Sequence, residues 1–207
     1  MGGDLYDFVE SSGDRLVILI GDVSGKGVPA ALLMAKLISD FRAIAARAAS
    51  PGAILRDLNA ELAAQSRRGM FVTATCLALE ADSGRVTFAD AGHLPILRHR
   101  RAGGAVEAVA GEGGPPLGIV LGAEFPPQEM ALDAGDTLLL YTDGVVEARG
   151  PGAAAFGMDR IADVMRACLP GTKDLVEDLL AAVRAHAAGT PLHDDLTMVA
   201  LRWRPSP

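Results

Sequence analysis

Two short apolar stretches near the start of the chain, Leu5 to Val9 and Leu16 to Ile20, flank the turn-forming Ser11-Ser12-Gly13-Asp14 and predict a β-hairpin. Past Gly27 the period changes. Pro29 suits a first helical turn, and Met34, Leu37, Ile38, Phe41, Ile44 and Ala48 recur at helical spacing, so a helix is expected to end near Ala49. Ser50-Pro51 reads as the N-cap and first turn of a second helix carrying Ile54, Leu55, Leu58 and Leu62 on one face. Phe71 to Glu80, Arg85 to Ala91 and Ile96 to His99 return to β character as a meander, the first two joined by the turn Ala81-Asp82-Ser83-Gly84. Gly111 to Gly118 reads as a loop, short strands are expected near Ile119 and Met130, and Thr137 to Tyr141 is a buried strand. A second helical pair follows. Ile161, Val164, Met165 and Cys168 share a face, Thr172 can cap a helix carrying Leu175, Val176, Leu179, Leu180 and Val183, and Leu196 to Trp203 closes on a strand. Antiparallel strands broken by two adjacent helical pairs predict a layered α+β fold, with paired helices covering sheet faces, and not alternating βαβ units.

Length and composition narrow the class. At 207 residues with half of them hydrophobic, the chain 1–207 has material for one core and is expected to be one domain. Its apolar runs are far too short to span a bilayer and no charged-then-apolar leader opens it, which by default points to the cytoplasm. Cys76 and Cys168 sit among Leu and Ala as small core residues do, too few for a disulfide framework. The net charge is −7, and the cations are scattered apart from Arg67-Arg68 and Arg98 to Arg101, which argues against nucleic acid as a partner.

Four aspartates fall at strand ends or turns: Asp4 in Gly2-Gly3-Asp4, Asp22 in Gly21-Asp22-Val23-Ser24-Gly25-Lys26-Gly27, Asp143 in Thr142-Asp143-Gly144, and Asp194 in His193-Asp194-Asp195. Taken singly, each is an ordinary turn former. Gathered by a fold, two such charges ~4 Å apart would repel by roughly 4 kcal/mol at an effective dielectric of about 20, and cations would be needed to hold them. Oxygen ligands without a His or Cys set favour Mg²⁺ or Mn²⁺ over zinc. Other chemistries fit less well. An Arg is missing six residues after either cysteine, where Asp82 and Asp174 stand, so a cysteine nucleophile for phosphate has no anion-binding partner. Gly25-Lys26-Gly27-Val28-Pro29-Ala30 has the outline of a dinucleotide fingerprint, but the next element is a helix and not the required parallel strand. Nor is it a P-loop: three residues separate Gly21 from Gly25-Lys26, and Gly27 takes the Ser/Thr place.

In order and wording, the segments GGDLYD, GDVSGKG, MFVTA, AGHLP, PLG, YTDGVVEA and HDDLTMV resemble the SpoIIE-like serine phosphatases of the type 2C superfamily, over nearly the whole chain. The resemblance implies two antiparallel sheets sandwiched between helical layers, with a site for two Mn²⁺ or Mg²⁺ ions at one end. By the same match Asp22 bridges the metals, the Val23 carbonyl binds the second, Asp143 and Asp194 bind the first, and Asp4 acts directly or through water. Asp22, Asp143 and Asp194 form the implied catalytic set, activating a water for in-line attack on phosphorus without a phosphoenzyme. The implied substrate is phosphoserine on an anti-sigma-factor antagonist of STAS type, in a partner-switching pathway. A non-catalytic phosphoprotein-docking module and a phosphatase of small phosphate esters are the alternatives.

Within the resemblance, Asp195 is assigned to turn hydrogen bonding, and Thr142 and Thr197 to turn support. His93 could protonate the leaving serine oxygen or serve as a bonded turn histidine; His193 could tune its neighbouring ligand, and Lys26 could attract phosphate. The first helix also corresponds to a regulatory switch region. Family domains usually carry a strand before the Gly-Gly-Asp segment, whereas Met1 directly precedes Gly2, so a first strand is expected to be missing. An upstream sensor domain or homodimerisation is the matching expectation.

Overall fold

The structure, a computed structural model, describes residues 3–11, 14–48, 50–65, 69–168, 175–192 and 194–205. The chain divides into two compact units, one running to His93 and including Ala110–Leu132, the other made of Leu94–Val109 and Asp133–Arg204.

In the first unit β1 (Asp4–Ser11) and β2 (Arg15–Val23) form the expected hairpin, followed by α1 (Val28–Ala45), α2 (Pro51–Gln65), β3 (Val72–Glu80) and β4 (Arg85–Ala91). With β7 (Gln128–Ala131) the strands make an antiparallel sheet in the order β1-β2-β3-β4-β7. One face of that sheet packs on the helices. Leu37, Phe41 and Ile44 of α1 and Ile54, Leu55 and Leu58 of α2 lie in one core with Leu5, Val17, Leu19 and Cys76. Phe41 is fully buried, and each such side chain contributes about 1.5–3 kcal/mol by leaving water. The cap expected at Ser50 forms, its Oγ accepting from Ala53 N at 3.3 Å. Arg42 of α1 reaches down to the buried Asp7 of β1 at 2.6 Å, fastening helix to strand.

The second unit holds β5 (Ile96–His99), β6 (Val106–Val109), β8 (Thr137–Tyr141), the short α3 (Asp143–Val146), α4 (Gly157–Ala167), α5 (Leu175–Ala187) and β9 (Met198–Arg202). Its antiparallel sheet runs β6-β5-β8-β9. Leu97, Leu139 and Tyr141 of that sheet share a core with Ile161 and Met165 of α4 and Leu179 and Val183 of α5. The expected α+β class, with two antiparallel sheets and helices packed in pairs, is what the chain forms.

Several boundaries differ. The first helix stops at Ala45 and not near Ala49, its end tightening as Arg47 N donates to Ile44 O at 3.0 Å, three residues back. No strand forms at Ile119. Asn59 of α2 pins that segment as a turn, accepting from Gly118 N at 2.8 Å and donating to Val120 O at 2.9 Å, with positive φ at Gly118 and Gly122. β6 lies in a stretch to which periodicity assigned no element, and α3 in one read as a turn. The Ser12-Gly13 turn, the Arg67-Arg68 pair, the Thr172 cap and His193 lie outside the described residues. Among the described residues no helix is long and apolar enough to cross a membrane.

Candidate metal centre

The hairpin register sets Asp4 directly opposite Asp22, and the next register sets Asp22 opposite Thr73, so three polar side chains line one face across β1, β2 and β3. Opposed like charges in a sheet are unfavourable, on the order of 3 kcal/mol for ~5 Å at an effective dielectric near 20, and a nearby cation would reverse that sign. Gly3 explains the glycine before Asp4. A Cβ there would stand 2.8 Å from Asp22 Oδ1 and 2.5 Å from Val23 O, while Val23 N donates to Gly3 O at 3.1 Å. The side-chain oxygen of Asp22 and the main-chain oxygen of Val23 therefore both border the space that Gly3 leaves open.

The same end of this sheet holds a second polar group. His93 Nδ1 is hydrogen-bonded to Thr73 Oγ1 at 3.0 Å. Just ahead of it, Asp90 accepts from Gly92 N at 2.9 Å, His93 N at 3.2 Å and Thr75 Oγ1 at 3.2 Å. Burial pushes the Asp90 carboxyl above its ordinary range, and these three hydrogen bonds only partly oppose it. His93 thus has the bonded role foreseen as one of its two possibilities. Thr73 and Asp90 escaped the sequence reading; the alternation of Thr73 with Thr75 in a strand otherwise apolar was the available signal.

In the second unit, Thr142 N donates to Thr197 O at 3.1 Å and Thr197 N to Thr142 Oγ1 at 3.2 Å, tying the end of β8 to the approach to β9. Both threonines support turns, as expected. Asp143 opens α3, and a Cβ on Gly144 would lie 2.0 Å from Asp195 O and 3.4 Å from Asp194 Cβ. The Asp-Gly pair is what lets the Asp194-Asp195 backbone run against Asp143's turn. Asp194 Oδ1 accepts from Asp195 N at 3.1 Å, so the turn hydrogen bond assigned to Asp195 runs through its amide.

The candidate ligands therefore come as two groups, Asp4, Asp22 and Val23 in one unit and Asp143 with Asp194 in the other. Among the described residues no three His, Cys, Asp or Glu side chains gather as a ready-made ligand cage. The donor set is carboxylate and carbonyl oxygen throughout, which fits hard divalent ions such as Mg²⁺ or Mn²⁺. Lys26 is exposed.

Comparison with known proteins gives a family match and several relatives. A family model described as Stage II sporulation protein E (SpoIIE) matches residues 12–204. Protein IcfG of Synechocystis sp. is 26% identical over 228 residues, spanning 97% of this chain and 36% of its own length. Phosphoserine phosphatase RsbU of Bacillus subtilis is 27% identical over 202 residues, spanning 98% of this chain and 59% of its own length. The crystal structure of the RsbU and RsbW domains of Rv1364c from Mycobacterium tuberculosis superposes with a TM-score of 0.79 at 30% identity, covering 100% of this chain and 57% of that one. The chain thus spans between about a third and three fifths of the length of these relatives.

Proposed function

The chain belongs to the SpoIIE family, and from that premise we propose that it is a metal-dependent protein serine phosphatase. The observation that carries the reading is the pairing of Asp4 with Asp22 across one hairpin, bordered by a glycine that leaves room at the Asp22 and Val23 oxygens. In this reading Asp4, Asp22, the Val23 carbonyl, Asp143 and Asp194 hold two divalent ions, Mn²⁺ or Mg²⁺. When bound, such ions supply Lewis-acid chemistry: they stabilise charge on the phosphoryl oxygens and make water acidic enough to act as a nucleophile near neutral pH. The protein's own part is placement. β1 and β2 fix the Asp4 and Asp22 carboxylates by register, and the Thr142–Thr197 hydrogen bonds fix the Asp143 and Asp194 turns against each other. The catalytic set is Asp22, Asp143 and Asp194, and in-line displacement of the serine oxygen leaves inorganic phosphate.

The proposed substrate is a phosphoserine on an anti-sigma-factor antagonist. Its support is the resemblance to a protein named phosphoserine phosphatase RsbU and to a chain that joins RsbU and RsbW domains. The test is phosphate release from a phosphorylated antagonist of STAS type and from a small aryl phosphate, each with Mn²⁺ and with chelator. Release that needs Mn²⁺ and prefers the phosphoprotein is the expected result. Undiminished release in chelator would overturn metal dependence, and a preference for the small ester would overturn the substrate class.

A further inference from the structure

At the far end of β8 from Asp143, the second unit carries a group of cations that the proposed phosphatase chemistry does not use. The register sets His99 of β5 opposite Thr137 of β8, and Thr137 opposite Arg202 of β9, so the three side chains share the helix-covered face of the sheet. Arg202 Nε donates to Thr137 Oγ1 at 3.0 Å, and its Nη2 lies 4.0 Å from Cys168 Sγ, just past the end of α4. Arg166 stands in the last turn of α4, and the Arg101 stem lies against Gly135, where a Cβ would come within 3.0 Å of Arg101 Cγ.

His99 is nine-tenths buried, its relative exposure being 9%. Among the described residues neither ring nitrogen has a hydrogen-bond partner, and neither is sealed from solvent. The ring is thus held among buried side chains while its nitrogens stay open to solvent and to a ligand. The charge around it is unbalanced in one direction. Asp136 is consumed by Arg98 and by the amides of Arg101 and Asp133, Glu107 is taken by Arg98 and Arg100, and Asp163 pairs with Arg166. Arg101 and Arg202 have no carboxylate within salt-bridge distance among the described residues. The carbonyl end of α4 offsets about half a charge, which leaves the group positive. In keeping with this, burial and then the fields of Arg202, Arg101 and Arg166 hold the His99 pKa below its ordinary value, with only Asp136 acting the other way.

We propose that His99, Arg101 and Arg202 form an anion site for a phosphate-type dianion, distinct from the aspartate centre. Guanidinium groups suit such a ligand because they present paired donors to its oxygens, and the neutral imidazole supplies one further donor. The ligand is either free phosphate or a phosphoryl group carried by a protein. The inference does not rest on the phosphatase reading, since every residue in it lies outside the proposed catalytic set.

Calorimetric titration of the full chain at pH 7.5 in chelator tests it, with inorganic phosphate as one probe and a phosphoserine peptide as the other. Saturable binding is expected, weakened about tenfold or more by Arg202→Met and left unchanged by Asp22→Asn. Tighter binding of the peptide identifies a protein-borne phosphoryl group as the source, and equal or tighter binding of inorganic phosphate identifies the free anion. Arg101→Ser, at an exposed position, serves as the second variant should Arg202→Met fail to fold, and it too should weaken binding. Absence of saturation by both probes below about 10 mM, heats reproduced by chloride at equal ionic strength, or binding lost in Asp22→Asn but kept in the folded arginine variants would each overturn the proposal.

Discussion

At Gly144 the fold has room for a hydrogen and nothing larger, since a methyl there would sit 2.0 Å from Asp195 O. The obstacle is backbone, which cannot rotate aside as a side chain can. Gly144→Ala should therefore destabilise the chain by about 1–3 kcal/mol and spoil the alignment of Asp143 with Asp194, as read by urea unfolding and by Mn²⁺ titration. An unchanged urea midpoint would show that the two turns part without cost. Next to it, Asp194 and Asp195 differ in role. Asp194→Asn should weaken Mn²⁺ binding at least about tenfold, whereas Asp195→Asn keeps the amide that donates to Asp194 Oδ1 and should change binding far less. The reverse ranking in a calorimetric titration would move the ligand to Asp195. At this scale the sequence was most legible where a glycine adjoined an acid, because both Gly3 and Gly144 mark a backbone approach that a side chain would block. It was least legible at Thr73 and Asp90, whose connection to Asp22 and His93 exists only once the register of β2, β3 and β4 is known.

Among the elements, β5 and β8 are held by more than their ladder. Asp136 is fully buried one residue before β8 and accepts from Arg101 N at 2.8 Å, Asp133 N at 3.2 Å and Arg98 Nε at 3.0 Å. Burial alone would raise this carboxyl. The Arg101 amide, the Arg98 guanidinium and the Asp133 amide outweigh it and hold the group below its ordinary value. A carboxyl whose folded pKa is depressed contributes stability that is full above its unfolded value, about 3.9, and lost as pH falls through the lower folded value. Urea midpoints of the wild-type chain should thus decline below about pH 4 more steeply than those of Asp136→Asn, and Asp136→Ala should cost about 3–5 kcal/mol at neutral pH by leaving Arg98 buried beside a void. Equal slopes for wild type and Asp136→Asn would show that this carboxylate is not the titrating group. Periodicity alone foresaw both helical pairs and the main strands. It misplaced a strand at Ile119 because the segment's shape is set by Asn59, roughly sixty residues away along the chain, and no local pattern carries that contact.

For the whole molecule, the proposed function ties stability to metal. Asp4 and Asp22 place like charges opposite one another by register in one unit, and the Asp143 and Asp194 turns abut in the other. A ligand that binds only the folded chain raises its stability by about 2.7 kcal/mol at a concentration of 100 Kd, so saturating Mn²⁺ should raise the melting temperature measurably. The size of that rise in variants tells whether the pairs act together. If all four aspartates serve one centre, Asp22→Asn and Asp143→Asn should each abolish most of the Mn²⁺-dependent rise, although they alter different units. Independent pairs would behave otherwise, each variant losing about half of the effect and the double variant all of it. Without metal, Asp22→Asn should melt at or slightly above the wild-type temperature, because it removes one of two negative charges set opposite each other by register. Differential scanning calorimetry of the four proteins, with Mn²⁺ and with chelator, separates these outcomes. Partial, additive losses would refute the single two-metal centre while leaving the fold and the family membership untouched.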